Sequence, residues 1–164
     1  MAVAVEPMQL RDIPDVLVIE KLSFPIPWSK QAFVSELNNR HAIYLVARDN
    51  DMICGYTGMW LIFDEGHITN LAVHPAYRRR GIGRLLLNSL IQTGKKQGLR
   101  RFTLEVRRSN LAAQKLYAEF GFIQVGVRPR YYQDDQEDAL IMWKELNSDD
   151  CQAISDIGNR DELR

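Results

Sequence analysis

Residues 67–98 carry the strongest constraint on what this chain can fold into. An apolar run from His67 to Val73 ends at His74-Pro75. A cationic segment containing two glycines follows, Arg78-Arg79-Arg80-Gly81-Ile82-Gly83-Arg84. From Gly81 to Gln97 apolar residues then recur at helical spacing, with Ile82, Leu85, Leu86 and Leu90 on one face, until Gly98 stops the pattern. A strand that passes through a glycine loop into a helix presents free backbone N–H groups and a partial positive charge at the helix start, which suits phosphate oxygens. Glycine lets the backbone come close to a ligand, and Arg78, Arg79, Arg80 and Arg84 add charge-assisted donors. A phosphorylated ligand is the expectation, a diphosphate rather than a monophosphate. Two nucleotide loops are excluded: nothing matches GxxxxGK[ST], and Leu86 stands where a dinucleotide fingerprint needs its third glycine. On these residues alone, an ordinary glycine turn with surface arginines stays open as the alternative.

The elements around this segment follow from spacing and punctuation. Val3 to Leu10 reads as a strand, and Asp12 caps a helix with Pro14 in its first turn, running to Leu22. Two prolines make Phe24 to Trp28 extended or turning. Ser29 caps a helix carrying Phe33, Val34 and Leu37. His41 to Arg48 and Met52 to Phe63 form a hairpin around Asp49-Asn50-Asp51, and Asp64-Glu65-Gly66 turns into the strand from His67 to Val73. After Gly98, Arg101 to Arg107 alternates, with Phe102, Leu104 and Val106 on one side and Thr103, Glu105 and Arg107 on the other. Asn110 caps a short helix bearing Ala113, Leu116, Tyr117 and Phe120, which Gly121 ends. Phe122 to Val127 and Ala139 to Leu146 are two final strands joined across Tyr131-Tyr132 and an acidic turn. The order β-α-α-β-β-β-α-β-α-β-β predicts an α/β protein, a mixed sheet with helices on both faces.

A length of 164 residues fits one such domain. Lys plus Arg equals Asp plus Glu at 21 each, which argues against whole-chain attraction to nucleic acid or an anionic membrane. The balance is not uniform. Residues 147–164 hold five acidic and two basic residues, a net of −3, leaving +3 for residues 1–146. The expected division is a domain over 1–146 and an acidic tail over 147–164, either mobile or forming a short helix around Cys151 to Ile157. Cys54 and Cys151 lie far apart without CxxC spacing, which suits a reducing compartment, and Cys54 in an apolar strand reads as core. No apolar stretch approaches the about 20 residues that span a bilayer, and the N-terminus lacks the basic region of a signal peptide. A cytoplasmic protein is expected. His41, His67 and His74 show no metal spacing and read as structural or surface residues, so no metal is expected.

The sequence Arg78 to Gly83 fits the [RQ]xxGx[GA] pattern with which GNAT acetyltransferases open a helix after a strand, and Leu71-Ala72-Val73-His74-Pro75 resembles the strand and exit that precede it. Leu104-Glu105-Val106-Arg107, Ser109-Asn110, Ala113, Leu116-Tyr117 and Phe120-Gly121-Phe122 match the rest, so the resemblance covers about residues 5–146. Within the superfamily the chain is most similar to the RimI group, bacterial N-terminal acetyltransferases of a small-subunit ribosomal protein, through Phe24 to Ser29, Arg130-Tyr131-Tyr132 and Glu137 to Met142. The resemblance implies the GNAT acyl-CoA N-acyltransferase fold, with a mostly antiparallel twisted sheet. It also implies direct acetyl transfer from acetyl-CoA to an amine, here the N-terminal α-amine of a protein, an alanine of a ribosomal protein. Lysine or small-amine acetylation, and a non-catalytic acyl-CoA-binding module, are the alternatives. By the same resemblance Leu71, Ala72 and Val73 offer backbone groups to the pantetheine and thioester. Residues Arg78, Arg79, Arg80, Gly81, Ile82, Gly83 and Arg84 hold the pyrophosphate, Asn110 bonds the coenzyme, Glu105 accepts a proton and Tyr117 donates one.

Elementary chemistry is consistent with those roles. An α-amine has a pKa of about 7.7–8.0, so it must shed a proton to attack, and a carboxylate helps most where burial raises its pKa. The other reading of Glu105 is a solvated strand residue or one salt-bridged beside Arg107; for Tyr117 it is core packing, which a catalytic hydroxyl does not preclude. Tyr131, Tyr132, Phe24 and Trp28 either line a peptide groove or pack over an edge strand. Asp134, Asp135, Glu137 and Asp138 read as a solvated loop, or as a lure for a basic peptide. The arginines flank the phosphate loop without interleaved aromatics, so direct nucleic-acid recognition is not expected.

Overall fold

The computed structural model describes residues 2–147, so the acidic tail, Asn147 apart, lies outside the described residues. Seven strands form one sheet: β1 (Val3–Pro7), β2 (Ala42–Asp49), β3 (Met52–Ile62), β4 (Glu65–Val73), β5 (Arg101–Arg107), β6 (Ile123–Arg128) and β7 (Ala139–Glu145). Their order is β1-β2-β3-β4-β5-β7-β6. Every described pairing is antiparallel except β4 with β5. Four helices complete the chain: α1 (Ile13–Ser23), α2 (Lys30–Leu37), α3 (Ile82–Lys96) and α4 (Leu111–Glu119). Both faces are covered. Tyr44 and Val46 of β2 pack with Val16, Ile19 and Phe33 of α1 and α2. The intervening Leu45 joins Leu87, Leu90 and Ile91 of α3 and Tyr117 of α4 on the opposite face. Burying one leucine side chain contributes about 1.5–3 kcal/mol, so this second layer anchors α3 firmly to the sheet. Among the described residues no helix is long and apolar enough to cross a membrane.

Local chemistry explains most boundaries. Ser29 Oγ accepts from Ala32 N at 3.1 Å and Asn110 Oδ1 from Ala113 N at 3.1 Å, so both residues cap as expected. Gly98 and Gly121 take φ of +87° and +90°, the left-handed geometry that ends α3 and α4. Other expectations are corrected. Asp12 precedes α1 but does not cap it. Its carboxylate is buried and turned back, accepting from Gln9 N at 2.9 Å and from Arg48 Nη2 at 2.8 Å, because a neighbouring guanidinium and a preceding 3-10 turn offer better partners. Leu85 is exposed, and Leu87 and Ile91 replace it on the buried face. β1 stops at Pro7 and β4 starts at Glu65, two residues before the apolar run.

The sheet departs from regularity in two places. Gly58 pairs with Asn70 but Met59 pairs with Ile68, leaving Thr69 as the extra residue of a β-bulge in β4. Thr69 and Asn70 then both face α1 and α2. Thr69 Oγ1 lies 3.0 Å from Tyr44 Oη, and Asn70 Nδ2 donates to the buried Glu20 at 3.4 Å. Tyr56 Oη donates to the same carboxyl at 2.6 Å, and burial holds the Glu20 pKa above the usual carboxylate value. The second departure lies beside the bulge. β4 and β5 pair only at Glu65–Arg101, Gly66–Phe102 and His67–Thr103. Beyond that point the two strands part, and the sheet is open at its centre.

Candidate active site

The opening is bounded by the C-terminal half of β4, the C-terminal half of β5, and the starts of α3 and α4. Leu71, Ala72 and Val73 keep their antiparallel partners on β3, while β5 has no register with them, so the other edge of that backbone faces the gap. The stretch has the polar backbone groups and extended form that a pantetheine arm needs as a partner.

The phosphate loop follows. His74 opens a 3-10 turn, accepting from Ala76 N at 3.0 Å through Nδ1. Arg79 and Gly81 then take φ of +64° and +78°, curling the chain into α3. No side chain caps the start of this 15-residue helix, so its first N–H groups are left for an anion. Gly83 supplies a further sign. A Cβ there would meet Leu116 Cδ2 at 3.5 Å and Val73 Cγ2 at 3.9 Å, ordinary contacts at an ordinary helical φ. Nothing within the protein requires glycine at that position, whereas a closely approaching ligand would. The arginines divide in their duties. Arg78 Nε donates to Val73 O at 3.3 Å, the Arg80 guanidinium lies 5.3 Å from the Tyr77 ring centroid, and Arg84 is ion-paired with Glu119 of α4. These residues fit a pyrophosphate, with backbone N–H groups and the helix start as the core of the cradle and the cations around it.

Glu105 faces a cavity of about 310 Å³ on the other side of β5 from the α3–α4 core, where His67, Thr103 and Arg128 stand among apolar residues such as Ile141 and Trp143. Its Oε2 lies 2.7 Å from His67 Nε2, and its Oε1 lies 3.6 Å from Arg128 Nε. The expected neighbour, Arg107, is not its partner. The hydrogen bond from His67, helped by the charge of Arg128, holds the Glu105 carboxyl below the usual range and outweighs its partial burial. A pKa raised by burial is therefore not what this site offers. His67 is half-buried rather than a surface residue, and Trp60 packs edge-on against it at 5.6 Å while donating Nε1–H to Glu36 at 2.8 Å.

Tyr117 lies on the opposite face. It is 7% exposed, packs against Phe122 at 5.7 Å between ring centroids, and burial raises its pKa well above that of a free phenol, so it stays protonated. Glu105 and Tyr117 thus lie on opposite faces of the sheet and do not touch one another. Asn110 spends Oδ1 on its helix cap, leaving the amide nitrogen as the group it can offer a ligand.

The four aromatic candidates are split. Phe24 and Trp28 belong to the α1–α2 cluster, with Trp28 5.4 Å from Phe33 and 6.4 Å from Tyr44. Tyr131 and Tyr132 stack edge-on at 5.2 Å on the β6–β7 connection, beside Arg128 and Arg107. The acidic residues of that connection lie in a largely exposed loop, as expected, and are also tied down there: Asp134, Asp135 and Glu137 all bind Arg107. Cys54 is core as expected, its Sγ 3.3 Å from Ala47 O.

An open β4–β5 junction beside an uncapped, glycine-containing helix start fits an acyl-CoA-dependent transferase. The Acetyltransferase (GNAT) family pattern matches residues 13–122, and the chain belongs to that family. A Bacillus subtilis (strain 168) protein named "Putative ribosomal protein bS18-alanine N-acetyltransferase" is 45% identical over 145 residues, covering 88% of this chain and 96% of its own. The ribosomal protein bS18-alanine N-acetyltransferase of Escherichia coli (strain K12) is 36% identical over 137 residues, covering 82% and 92%. The crystal structure of the Escherichia coli ribosomal-protein-S18-alanine N-acetyltransferase superposes with a TM-score of 0.82 at 32% identity, over 89% of this chain and 95% of that one. The expected GNAT fold and acetyltransferase class are thereby borne out.

Proposed function

We propose that the chain acetylates the N-terminal alanine of ribosomal protein bS18 with acetyl-CoA, by direct transfer. The observation that carries the chemistry is Glu105, hydrogen-bonded to His67 and ion-paired with Arg128 in a cavity beside the parted β4 and β5. The relatives named above supply the acceptor.

The residues divide the work as follows. The start of α3 and its arginines bind the coenzyme pyrophosphate, and the free edge of Leu71 to Val73 orients the thioester in the gap. Glu105, directly or through water, accepts the proton that the acceptor amine sheds as its nitrogen bonds to the acetyl carbonyl carbon. A carboxylate held below its usual pKa is a weak base by itself. The hydrogen-bonded pair is a better one, because the imidazole keeps a second nitrogen on which a proton can rest. Tyr117, kept as a phenol by burial, gives its proton to sulfur as the carbon–sulfur bond breaks. Nitrogen gains the acetyl group, sulfur leaves as a thiol, and Tyr117 recovers its proton from solvent or the Glu105–His67 pair.

The test is incubation with acetyl-CoA and peptides with free N-terminal alanine, serine or methionine, reading CoA release and locating the acetyl group by mass spectrometry. Alanine-initiated peptides carrying the bS18 N-terminus are expected to react fastest, on the α-amine. Replacing Glu105 with Gln or Tyr117 with Phe should each cost about 100- to 10,000-fold in kcat. No release with any of the peptides, or acetylation confined to lysine in an N-terminally blocked peptide, overturns the reading.

A further inference from the structure

Two residues beyond Glu105, at the end of β5, the Arg107 guanidinium gathers the β6–β7 connection around itself. Nη2 donates to Asp134 at 2.8 Å, and Nη1 donates to Asp135 at 3.1 Å and Glu137 at 3.3 Å. The Tyr132 ring lies against the same group, 3.9 Å from Cζ to ring centroid. These four partners come from six consecutive residues that form neither helix nor strand. The side chain is only partly exposed, at 22%, so the cluster is more than a solvated ion pair. Four carboxylates between residues 134 and 138 would repel one another in a free loop. Here Arg107 takes three, and Asp138 pairs with Arg108 at 3.4 Å while accepting from Arg130 N at 3.0 Å.

The held connection reaches both halves of the site. On one side Arg128, which lines the Glu105 cavity and pairs with that carboxylate, lies 5.9 Å from the Tyr131 ring, so the tyrosine pair stands one residue out from the cavity. On the other side Glu137 Oε2 accepts from Ser109 N at 2.8 Å, in the turn that leads to Asn110 and α4. We propose that Arg107 is the positioning residue of the acceptor site: it clamps the β6–β7 connection so that Tyr131 and Tyr132 form a fixed wall where the incoming N-terminus binds. The clamp rests on the reading of the Glu105 cavity as the acceptor side. It also reassigns the acidic run, whose carboxylates hold the loop through Arg107 rather than attracting a basic peptide.

Arg107→Gln and the double variant Asp134→Asn/Asp135→Asn test this with two readouts. The first is steady-state kinetics with acetyl-CoA and two alanine-initiated peptides, one with a basic second residue and one neutral. The acceptor KM is expected to rise about tenfold for both peptides, equivalent to about 1.4 kcal/mol, while the acetyl-CoA KM moves less than about twofold, because the Glu137–Ser109 bond is untouched. The second readout is trypsin cleavage after Arg130, which should accelerate in both variants once the connection is released, and which needs no activity. An unchanged acceptor KM with unchanged cleavage overturns the clamp, while the wild-type rate separately reports whether the transfer reading stands. A rise confined to the basic peptide also overturns it, since the carboxylates would then be acting on substrate charge.

Discussion

Glu105 differs from the usual picture of a general base, in which burial lifts a carboxyl towards neutrality. His67 donates to it and holds it ionised. Replacing His67 with Gln keeps a side chain of similar polarity but removes the main cause of the depressed pKa and the second proton-holding nitrogen. The expected outcome is a fall in kcat/KM of about 10- to 100-fold, and an acid limb of the pH–rate profile displaced to higher pH. A parallel profile of lower amplitude would show that His67 only packs. Stability follows the same linkage. Because the folded pKa lies below the unfolded value, the Glu105 contribution is present above the usual carboxylate range and is lost as pH falls through the depressed folded value. The wild type should therefore lose more stability than His67→Gln as pH falls from about 5 through and below the usual carboxylate value, once both are normalised at pH 7. Acid melts read by circular dichroism check this. Motif spacing made Glu105, Tyr117 and Asn110 legible. His67 was not, because its partner is 38 residues away on another strand. Alternation says which face a residue takes but not which residue stands opposite.

The helix α3 shows how far glycine can be read at the level of an element. Gly58 is required by the protein itself, since a Cβ there would stand 2.1 Å from the Tyr44 ring. Gly83 is not. Gly83→Ala should leave folding stability unchanged or raise it by up to about 1 kcal/mol, as alanine is the better helix former, while raising the acetyl-CoA KM. Gly58→Ala should instead lose about 1–3 kcal/mol through overpacking. Thermal melts and coenzyme titrations separate the two, and a Gly83→Ala enzyme with unaltered coenzyme affinity would remove this loop from the binding site. Strand and helix identities were legible from period and caps. The bulge at Thr69 was not, because two adjacent polar residues, Thr69 and Asn70, followed by an apolar run do not say which of them is the extra one. Only the pairing with β3 reveals the extra residue, and it is the bulge that turns Asn70 towards Glu20 and away from the register of β5.

Across the whole molecule, the sheet is continuous on paper and divided in fact. β1 to β4 form one antiparallel unit and β5, β7 and β6 another, joined by three parallel pairs. The α3 core residues bridge the two units on one face, but the C-terminal halves of β4 and β5 have no hydrogen bonds to each other. On the coenzyme placement proposed above, a ligand in that gap bonds to β4 and α3 on one side and to α4 on the other, completing the junction. Binding to the folded chain alone stabilises it by about 2.7 kcal/mol at a ligand concentration one hundred times Kd. For a domain of this length that corresponds to a rise in Tm of about 5–10 °C. Differential scanning fluorimetry with CoA or acetyl-CoA is expected to show this rise, with the acceptor peptide alone giving little, because the Glu105 cavity borders the stretch where β4 and β5 are already paired. Adenosine without the pantetheine arm should give only a small fraction of the shift. A full shift from adenosine, or none from CoA, would place the coenzyme elsewhere than in the opening between β4 and β5.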